Sequence, residues 1–336
     1  MSEPLLRVEN LRVEIPTSRA VVVPANDVSF DVFPGEAVGL VGESGCGKST
    51  TLRALLGLLR PPARIAAGRI VFDGRDLAAL GEAELRKVRG RSISIVFQEP
   101  MSSLNPLMRV GAQIAEALRV GLGLEGTEAR KKAIDLMRRV GIPDAPQRAR
   151  AYPHELSGGM RQRVMIAIAL SCRPKLILCD EPTTALDVTI QDQILGILAD
   201  LQAEEGLSLL YVTHDLPVVA QLCSRVVVMY AGQILESGPV VDVFADPRHP
   251  YTLGLLRSAP AFDDVREDLR PIPGTPPDLA SVPSGCPFHP RCAFVQRDCV
   301  TGEFPPLPLS ADRSTACIHS SVCVEATRRD PVLQDA

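Results

Sequence analysis

The spacing of apolar residues changes along this chain, and the changes mark its elements. Leu6-Arg7-Val8-Glu9 and Asp27-Val28-Ser29-Phe30-Asp31-Val32 alternate apolar with polar, as half-buried strands do. Pro34-Gly35 then turns into Ala37-Val38-Gly39-Leu40-Val41, a short apolar run that predicts a buried strand, and Thr51 to Leu59 favours helix. Gly68 to Phe72 predicts a strand closed by Asp73-Gly74, a hairpin-type turn. Glu82 to Arg89 predicts a helix, and Ser92 to Phe97 a strand ending at Gln98. From about Val110 to Ile168 the period lengthens to that of helices. Val110, Ile114, Ala117 and Leu118 share one face, and Ala133, Leu136, Met137 and Val140 share another. Leu176 to Cys179 resumes the sheet. A helix over Ile190 to Ala203 and strands over Leu207 to Val212 and Arg225 to Met229 follow, and Ala231-Gly232 turns the chain into Gln233 to Glu236. The pattern predicts an α/β fold interrupted by a helical subdomain at about 105–170.

Composition adds a second boundary. Of 29 prolines, 14 lie in the last 96 residues, too many for an uninterrupted sheet or bundle. The expected division is therefore one domain over 1–240 and a Pro- and Cys-rich extension over 241–336. Cys46, Cys172, Cys179 and Cys223 stand singly in regular segments, where a small buried hydrophobe is expected. A hydrophobic content of 46% supports a substantial core. With 4% aromatics, no Trp and a net charge of −4, a nucleic-acid surface is not expected. Lys occurs only five times and Arg far more often, which reads as codon usage. No basic-then-apolar leader opens the chain, and no uncharged apolar run reaches the length of a bilayer span. The chain is expected to be intracellular, with any membrane role exercised through partners.

Three stretches carry candidate chemistry. Gly42-Glu43-Ser44-Gly45-Cys46-Gly47-Lys48-Ser49-Thr50 is G-x-x-x-x-G-K-[ST] between a predicted strand and a predicted helix. Glycines let backbone N–H groups turn inward around a β-phosphate, and the helix N-terminus adds partial positive charge. Lys48 can reach the β- and γ-phosphates, and the Ser49 hydroxyl is placed to ligate Mg²⁺. This pattern predicts binding of a nucleoside triphosphate. Asp180-Glu181 places two carboxylates at the end of a buried strand. Asp180 suits a water-mediated Mg²⁺ ligand, and Glu181 suits the residue that orients and polarises an attacking water. Ser157-Gly158-Gly159-Met160 opens another helix, with Ser157 as its cap and two glycines leaving N–H groups bare toward an anion. Since Lys48 already serves one phosphate site, the economical arrangement is a sandwich in which this terminus covers ATP held by another subunit.

Over residues 1 to about 240 the chain resembles the nucleotide-binding subunits of ABC transporters. Six elements stand in that family's order. They are Walker A (42–50), Gln98 of the Q-loop, the signature (156–160), Walker B (176–181), the D-loop Ala185-Leu186-Asp187, and His214 in Val212-Thr213-His214-Asp215. The resemblance implies a P-loop NTPase fold of the ABC type. It implies that Gln98 contacts Mg²⁺ or water and reports nucleotide state to membrane subunits, that Asp187 crosses a dimer interface, and that His214 bridges the γ-phosphate and Glu181. The implied catalytic set is Glu181, His214 and Gln98, with Mg²⁺ held by Ser49, Gln98 and Asp180. Two positions depart from the family pattern. Met160 replaces the more usual Gln, as in the peptide-importer branch. Pro16-Thr17-Ser18-Arg19-Ala20-Val21 lacks the aromatic residue that commonly meets adenine, leaving Arg19 as the alternative stacking surface.

The extension narrows the resemblance to dipeptide and oligopeptide importers, through Asp246 to Thr252, Pro271 to Pro277 and Gly285 to Cys292. Its cysteine spacing, C-x5-C-x6-C-x17-C, is not that of a zinc finger. Clustered thiolates among prolines favour a metal centre, with zinc and unligated thiols as alternatives to an iron–sulfur cluster. The resemblance points to a [4Fe–4S] cluster on Cys286, Cys292, Cys299 and Cys317, with Cys323 spare and His289 and His319 as bystanders. A structural or docking role is expected for it, and Cys292→Ser is expected to loosen the extension while leaving the phosphate loop intact. The resemblance implies an ATPase subunit on the cytoplasmic face of the bacterial inner membrane, peripheral, energising import of dipeptides or oligopeptides. The implied partners are a paralogous ATP-binding subunit, two integral-membrane permeases and an extracytoplasmic substrate-binding protein. A nickel or other small-solute importer of the same family, or a soluble ABC ATPase, are the alternatives.

Overall fold

The computed structural model describes residues 3–184, 186–258 and 271–328, so Ala185 of the predicted D-loop lies outside the described residues. In chain order the strands are β1 (Leu6–Pro16), β2 (Val21–Val32), β3 (Ala37–Val41), β4 (Arg64–Phe72), β5 (Arg75–Asp76), β6 (Ile93–Val96), β7 (Leu176–Asp180), β8 (Ser208–Thr213), β9 (Arg225–Tyr230), β10 (Gln233–Pro239), β11 (Leu307–Pro308) and β12 (Ser314–Thr315). The helices are α1 (Lys48–Leu55), α2 (Glu82–Val88), α3 (Pro100–Ser103), α4 (Val110–Leu122), α5 (Gly126–Arg139), α6 (Ala145–Arg148), α7 (Gly158–Leu170), α8 (Val188–Glu205), α9 (Leu216–Leu222), α10 (Val240–Ala245), α11 (Pro250–Ser258) and α12 (Ser321–Arg328). Among the described residues no helix is long and apolar enough to cross a membrane.

Packing divides the chain into two units. One draws on Met1–Phe33, Ala37–Ala79 and Tyr211–Ala336, the other on Pro34–Glu36 and Leu80–Leu210. In the first unit, β2-β1-β4-β5 form an antiparallel sheet. β1 and β2 run well beyond the alternating stretches read from sequence. The reason is a series of three shifts in register, the first two of which coincide with Asn10 at φ 49° and Asp27 at φ 59°. Asn10 donates its backbone N–H to Ser29 Oγ at 2.8 Å and its amide to Asp27 Oδ1 at 2.6 Å. Such a bulge twists the strand but keeps its pairing, and so breaks the two-residue period without ending the strand. Helix α1 stops at Leu55, short of the expected Leu59, because the chain leaves helical geometry at Gly57, φ 60°, ahead of two prolines.

The same unit contains β3 and β9, parallel and in register from Val38↔Arg225 to Val41↔Val228. Ala231 (φ 48°) and Gly232 (φ 81°) then form a tight turn of the kind that suits right-twisted strands, and β10 folds back on β9. The extension supplies the next strands. β12 pairs with β10 through Glu236↔Thr315 and Ser237↔Ser314, and β11 pairs with β12. Glu236 is fully buried at this seam and accepts the backbone N–H groups of Arg248 (2.8 Å) and His249 (2.9 Å) and the Arg313 guanidinium (3.1 Å).

In the second unit β6 and β7 are parallel, in register from Ile93↔Leu176 to Val96↔Cys179. The helical stretch is built from α4, α5 and α7, whose buried faces include Val110, Ile114, Leu118, Ala133, Leu136 and Met137. Arg163 of α7 ties that helix to the end of α5 by donating to Val140 O and Gly141 O, each at 2.9 Å, and to α8 through Gln193 at 2.7 Å. Of the four lone cysteines, Cys46, Cys179 and Cys223 are buried and Cys172 is half-buried.

Candidate functional site

Every residue of β3 is buried, and the strand delivers the chain directly into the glycine-rich loop. Gly47, at φ 112°, is the N-cap of α1, and a Cβ there would overlap the Pro24 carbonyl oxygen. Glycine is therefore required by both geometry and space. Lys48 is 4% exposed, and its ammonium donates to Gly42 O at 2.6 Å and Glu43 O at 2.9 Å. The loop thus wraps its own carbonyls around a buried cation. Ser44 and Gly45 are exposed, while Ser49 and Thr50 are half-buried in the first turn of α1. The Gly232 N–H donates to Cys46 O at 2.9 Å and fixes the loop from the β9–β10 turn. Burial raises the Cys46 thiol pKa, partly offset by Lys48, so this thiol stays neutral. His214 is exposed, just beyond β8 in the same unit.

The second unit holds the carboxylates. β7 is buried throughout and ends at Asp180, itself 4% exposed. Glu181 follows in the left-handed region at φ 46°, a conformation that costs a non-glycine residue about 1–2 kcal/mol. Its Oε2 accepts from Gln98 Nε2 at 3.4 Å and from the Thr184 hydroxyl at 3.1 Å. The structure therefore brings Gln98 to Glu181 across 83 residues of sequence and adds Thr184, which the sequence reading missed.

Two helix caps complete this unit. Ser157 Oγ accepts the Met160 N–H at 3.3 Å and caps α7, and Asp187 Oδ1 accepts the Ile190 N–H at 2.9 Å and caps α8. Gly158 is exposed, and Gly159 is buried with a Cβ position only 2.6 Å from Ile190 Cγ2. Ser157→Ala is expected to lower stability by about 1 kcal/mol through loss of the cap. Urea denaturation measures it, and an unchanged midpoint would remove the capping role.

The extension gathers its cysteines. Cys286, Cys292, Cys299 and Cys317 line one cavity with apolar walls that include Phe288, Phe294, Phe304 and Ile318. Cys323 is buried but does not line it. Burial pushes the Cys286 thiol up to about 11 and Cys317 up to about 12, and raises Cys292 as well. At neutral pH these groups are therefore thiols unless a cation stabilises the thiolates. His249, which the sequence reading did not single out, is buried beside them. Its Nδ1 accepts the Tyr251 N–H at 3.0 Å, so Nε2 carries the proton and faces Cys286 Sγ at 3.9 Å. Burial lowers the His249 pKa to about 3, so the ring stays neutral. His289 and His319 also line the cavity, but His289 Nδ1 lies against Cys286 O at 2.9 Å and His319 Nε2 against Asp298 at 2.9 Å. Among the described residues, the ligand atoms close enough to share a single ion are those of Asp298, Cys299 and His319, within 4.8 Å of one another. The four cavity thiols do not meet that limit as a group.

The extension also reaches the phosphate loop. Glu43 donates its N–H to Tyr251 Oη at 2.8 Å, and its carboxylate takes both ends of the Arg291 guanidinium, at 2.6 and 3.0 Å. Tyr251 lies within a stretch that carried the family resemblance, but no spacing rule couples residues 208 and 248 positions away to a phosphate loop.

Comparison with known proteins agrees with these features. Residues 25–184 match the ABC transporter family, and residues 235–299 match the oligopeptide/dipeptide transporter C-terminal region. A putative peptide import ATP-binding protein of Brucella abortus (strain 2308) is 51% identical over 329 residues, covering 94% of this chain and 97% of that protein. The oligopeptide transport ATP-binding protein OppD of Salmonella typhimurium is 48% identical, with 93% of each chain covered. The dipeptide transport ATP-binding protein DppD of Bacillus subtilis is 50% identical, covering 86% of this chain and 87% of that protein. Among solved structures, the ATP-binding cassette MJ0796, a dimer in a post-hydrolysis state bound to ADP and Pi, is 29% identical at a TM-score of 0.64, covering 70% of this chain and 98% of that one. The chain belongs to the ATP-binding subunits of the ABC transporter family, in the branch that carries the oligopeptide/dipeptide transporter C-terminal region.

Proposed function

We propose that this protein is the ATPase subunit of a bacterial peptide importer, peripheral on the cytoplasmic face of the inner membrane. The observation that carries the reading is the union, in one chain, of an ATP-binding cassette and an importer-type extension at about half identity to peptide-transport relatives. Its partners are a paralogous ATP-binding subunit, two integral-membrane permeases and an extracytoplasmic binding protein. The loop Gly42–Thr50 cradles the phosphates with its N–H groups, and Lys48 turns its ammonium from loop carbonyls to the β- and γ-phosphates. Ser49, Asp180 and Gln98 offer hydroxyl, carboxylate and amide oxygens, the hard donors that suit Mg²⁺, which would neutralise phosphate charge when bound. Glu181, held by Gln98 and Thr184, orients water for in-line attack on the γ-phosphorus. His214 steadies the γ-phosphate. Ser157, Gly158, Gly159 and Met160 present the α7 N-terminus to ATP on the partner subunit, where Asp187 also reaches. Purification of the assembled complex from membranes tests the reading. Recovery of two permeases, a second ATP-binding chain and a peptide-binding protein is the expected result, and recovery of the chain alone or with a solute-binding protein for another cargo overturns it.

We also assign a [4Fe–4S] cluster to Cys286, Cys292, Cys299 and Cys317. The donor set supports it, being four soft thiols around one apolar cavity. The cluster would cross-link a proline-rich segment that has little regular structure of its own. His249 Nε2–H faces Cys286 Sγ and would stabilise its thiolate. Protein purified without air is expected to be brown, with about four iron and four sulfide per chain, and Cys292→Ser to bleach it and loosen the extension toward protease. Stoichiometric zinc, or no metal in protein never exposed to air, overturns the assignment.

A further inference from the structure

Glu43 places a carboxylate inside a loop that receives a polyanion. Left unpaired, that charge would repel the phosphates at close range in a partly buried setting, where screening is weak. The structure pairs it. Arg291 is 8% exposed, and all five of its N–H donors are directed at acceptors. Nη1 donates to Glu43 Oε2 at 2.6 Å and Tyr230 Oη at 3.2 Å, Nη2 to Glu43 Oε1 at 3.0 Å and Ile272 O at 3.4 Å, and Nε to Pro273 O at 2.8 Å. A guanidinium supplies that fork and a lysine does not. Tyr251 fixes the same residue from its other side, accepting the Glu43 N–H at 2.8 Å, while the Glu43 carbonyl takes Lys48 at 2.9 Å. Backbone N–H, backbone carbonyl and side chain of one loop residue are thus each held. The aromatic rings behind them pack as a block, with Phe288 at centroid distances of 5.4 Å from Tyr230 and 5.3 Å from Tyr251.

We propose that Arg291 and Tyr251 are positioning residues for nucleotide binding, which shape the phosphate loop and cancel the charge of Glu43, so that the C-terminal extension forms part of the ATP site. The proposal rests on residues 42–50 being the nucleotide site, and ATP binding by the unmodified chain checks that separately.

The experiment compares full-length protein with its Arg291→Gln, Tyr251→Phe, Glu43→Gln and Glu43→Gln/Arg291→Gln variants, titrating each with ATP and Mg²⁺ by calorimetry and measuring KM and kcat. Arg291→Gln is expected to weaken ATP binding and raise KM about tenfold, with kcat within about twofold, as loss of one charge-assisted pair predicts. Tyr251→Phe is expected to weaken binding about threefold, as loss of one hydrogen bond predicts. Glu43→Gln in the Arg291→Gln background should restore most of the lost affinity, because the unpaired carboxylate is then gone. A general loosening of the extension would not be relieved by that second change. A double variant as weak as Arg291→Gln, or Arg291→Gln and Tyr251→Phe both within twofold of wild type, overturns the proposal. If Arg291→Gln does not fold, Tyr251→Phe decides it, since wild-type affinity in that variant has the same consequence.

Discussion

Glu181→Gln is expected to abolish ATP turnover, by about 10²–10⁴-fold, while ATP remains bound. The substitution keeps length and shape and changes only the group offered to water. Gln98 Nε2 and the Thr184 hydroxyl both donate to Glu181 Oε2, and an amide oxygen can take those bonds in its place. The left-handed backbone at φ 46° strains glutamine no more than glutamate. Lys48 and its loop keep their sequence, so binding is expected to persist while the polarisation of water is lost. Phosphate release under saturating ATP reads the first quantity and calorimetric titration the second. Turnover within about threefold of wild type would remove Glu181 from the chemistry, because that is less than the 1.4 kcal/mol of one factor of ten.

Gly47→Ala is expected to weaken ATP binding by more than about 100-fold and to cost about 2–4 kcal/mol of stability, as strain at a special backbone position predicts. The added methyl would overlap the Pro24 carbonyl oxygen while φ stays near 112°, so neither the residue nor its neighbour can relax cheaply. Any accommodating shift tilts the first turn of α1 and with it Lys48 and Ser49. Gly45→Ala is the matched control, since Gly45 has φ 82° but no atom within 4 Å of an added Cβ. That variant should show only the backbone penalty, about 1 kcal/mol, with far smaller loss of affinity. Equal effects at the two positions would mean that crowding against Pro24 does not shape the loop.

What the sequence disclosed was local. β3, the phosphate loop and α1 follow one another in the chain, and each is recognisable from adjacent residues, as are β7 and the Asp180-Glu181 pair. The lengths of β1 and β2 were not legible, because bulges at Asn10 and Asp27 interrupt the alternation while hydrogen bonding continues. Thr184 stands next to predicted site residues, but only the reversal at Glu181 turns its hydroxyl toward the carboxylate. The four cavity cysteines were legible as a set because clustered thiols among prolines are rare. That Cys286, Cys292, Cys299 and Cys317 line one cavity while Cys323 does not shows only in three dimensions. Arg291 illustrates the limit most plainly. In sequence it stands only as part of the Gly285 to Cys292 stretch, and its partner lies 248 residues earlier.

The pairing of β12 with β10 also governs how this chain behaves as a solute. Without residues beyond 240, β10 would keep β9 but lose its β12 partners at Glu236 and Ser237 and become a sheet margin, and Glu236 would lose Arg248, His249 and Arg313 together. A margin of that kind recruits other strands, including those of identical molecules. The two short strands of the extension therefore act as a guard against aggregation, and a cassette trimmed to its catalytic portion should appear in inclusion bodies or as large oligomers rather than as a smaller working ATPase.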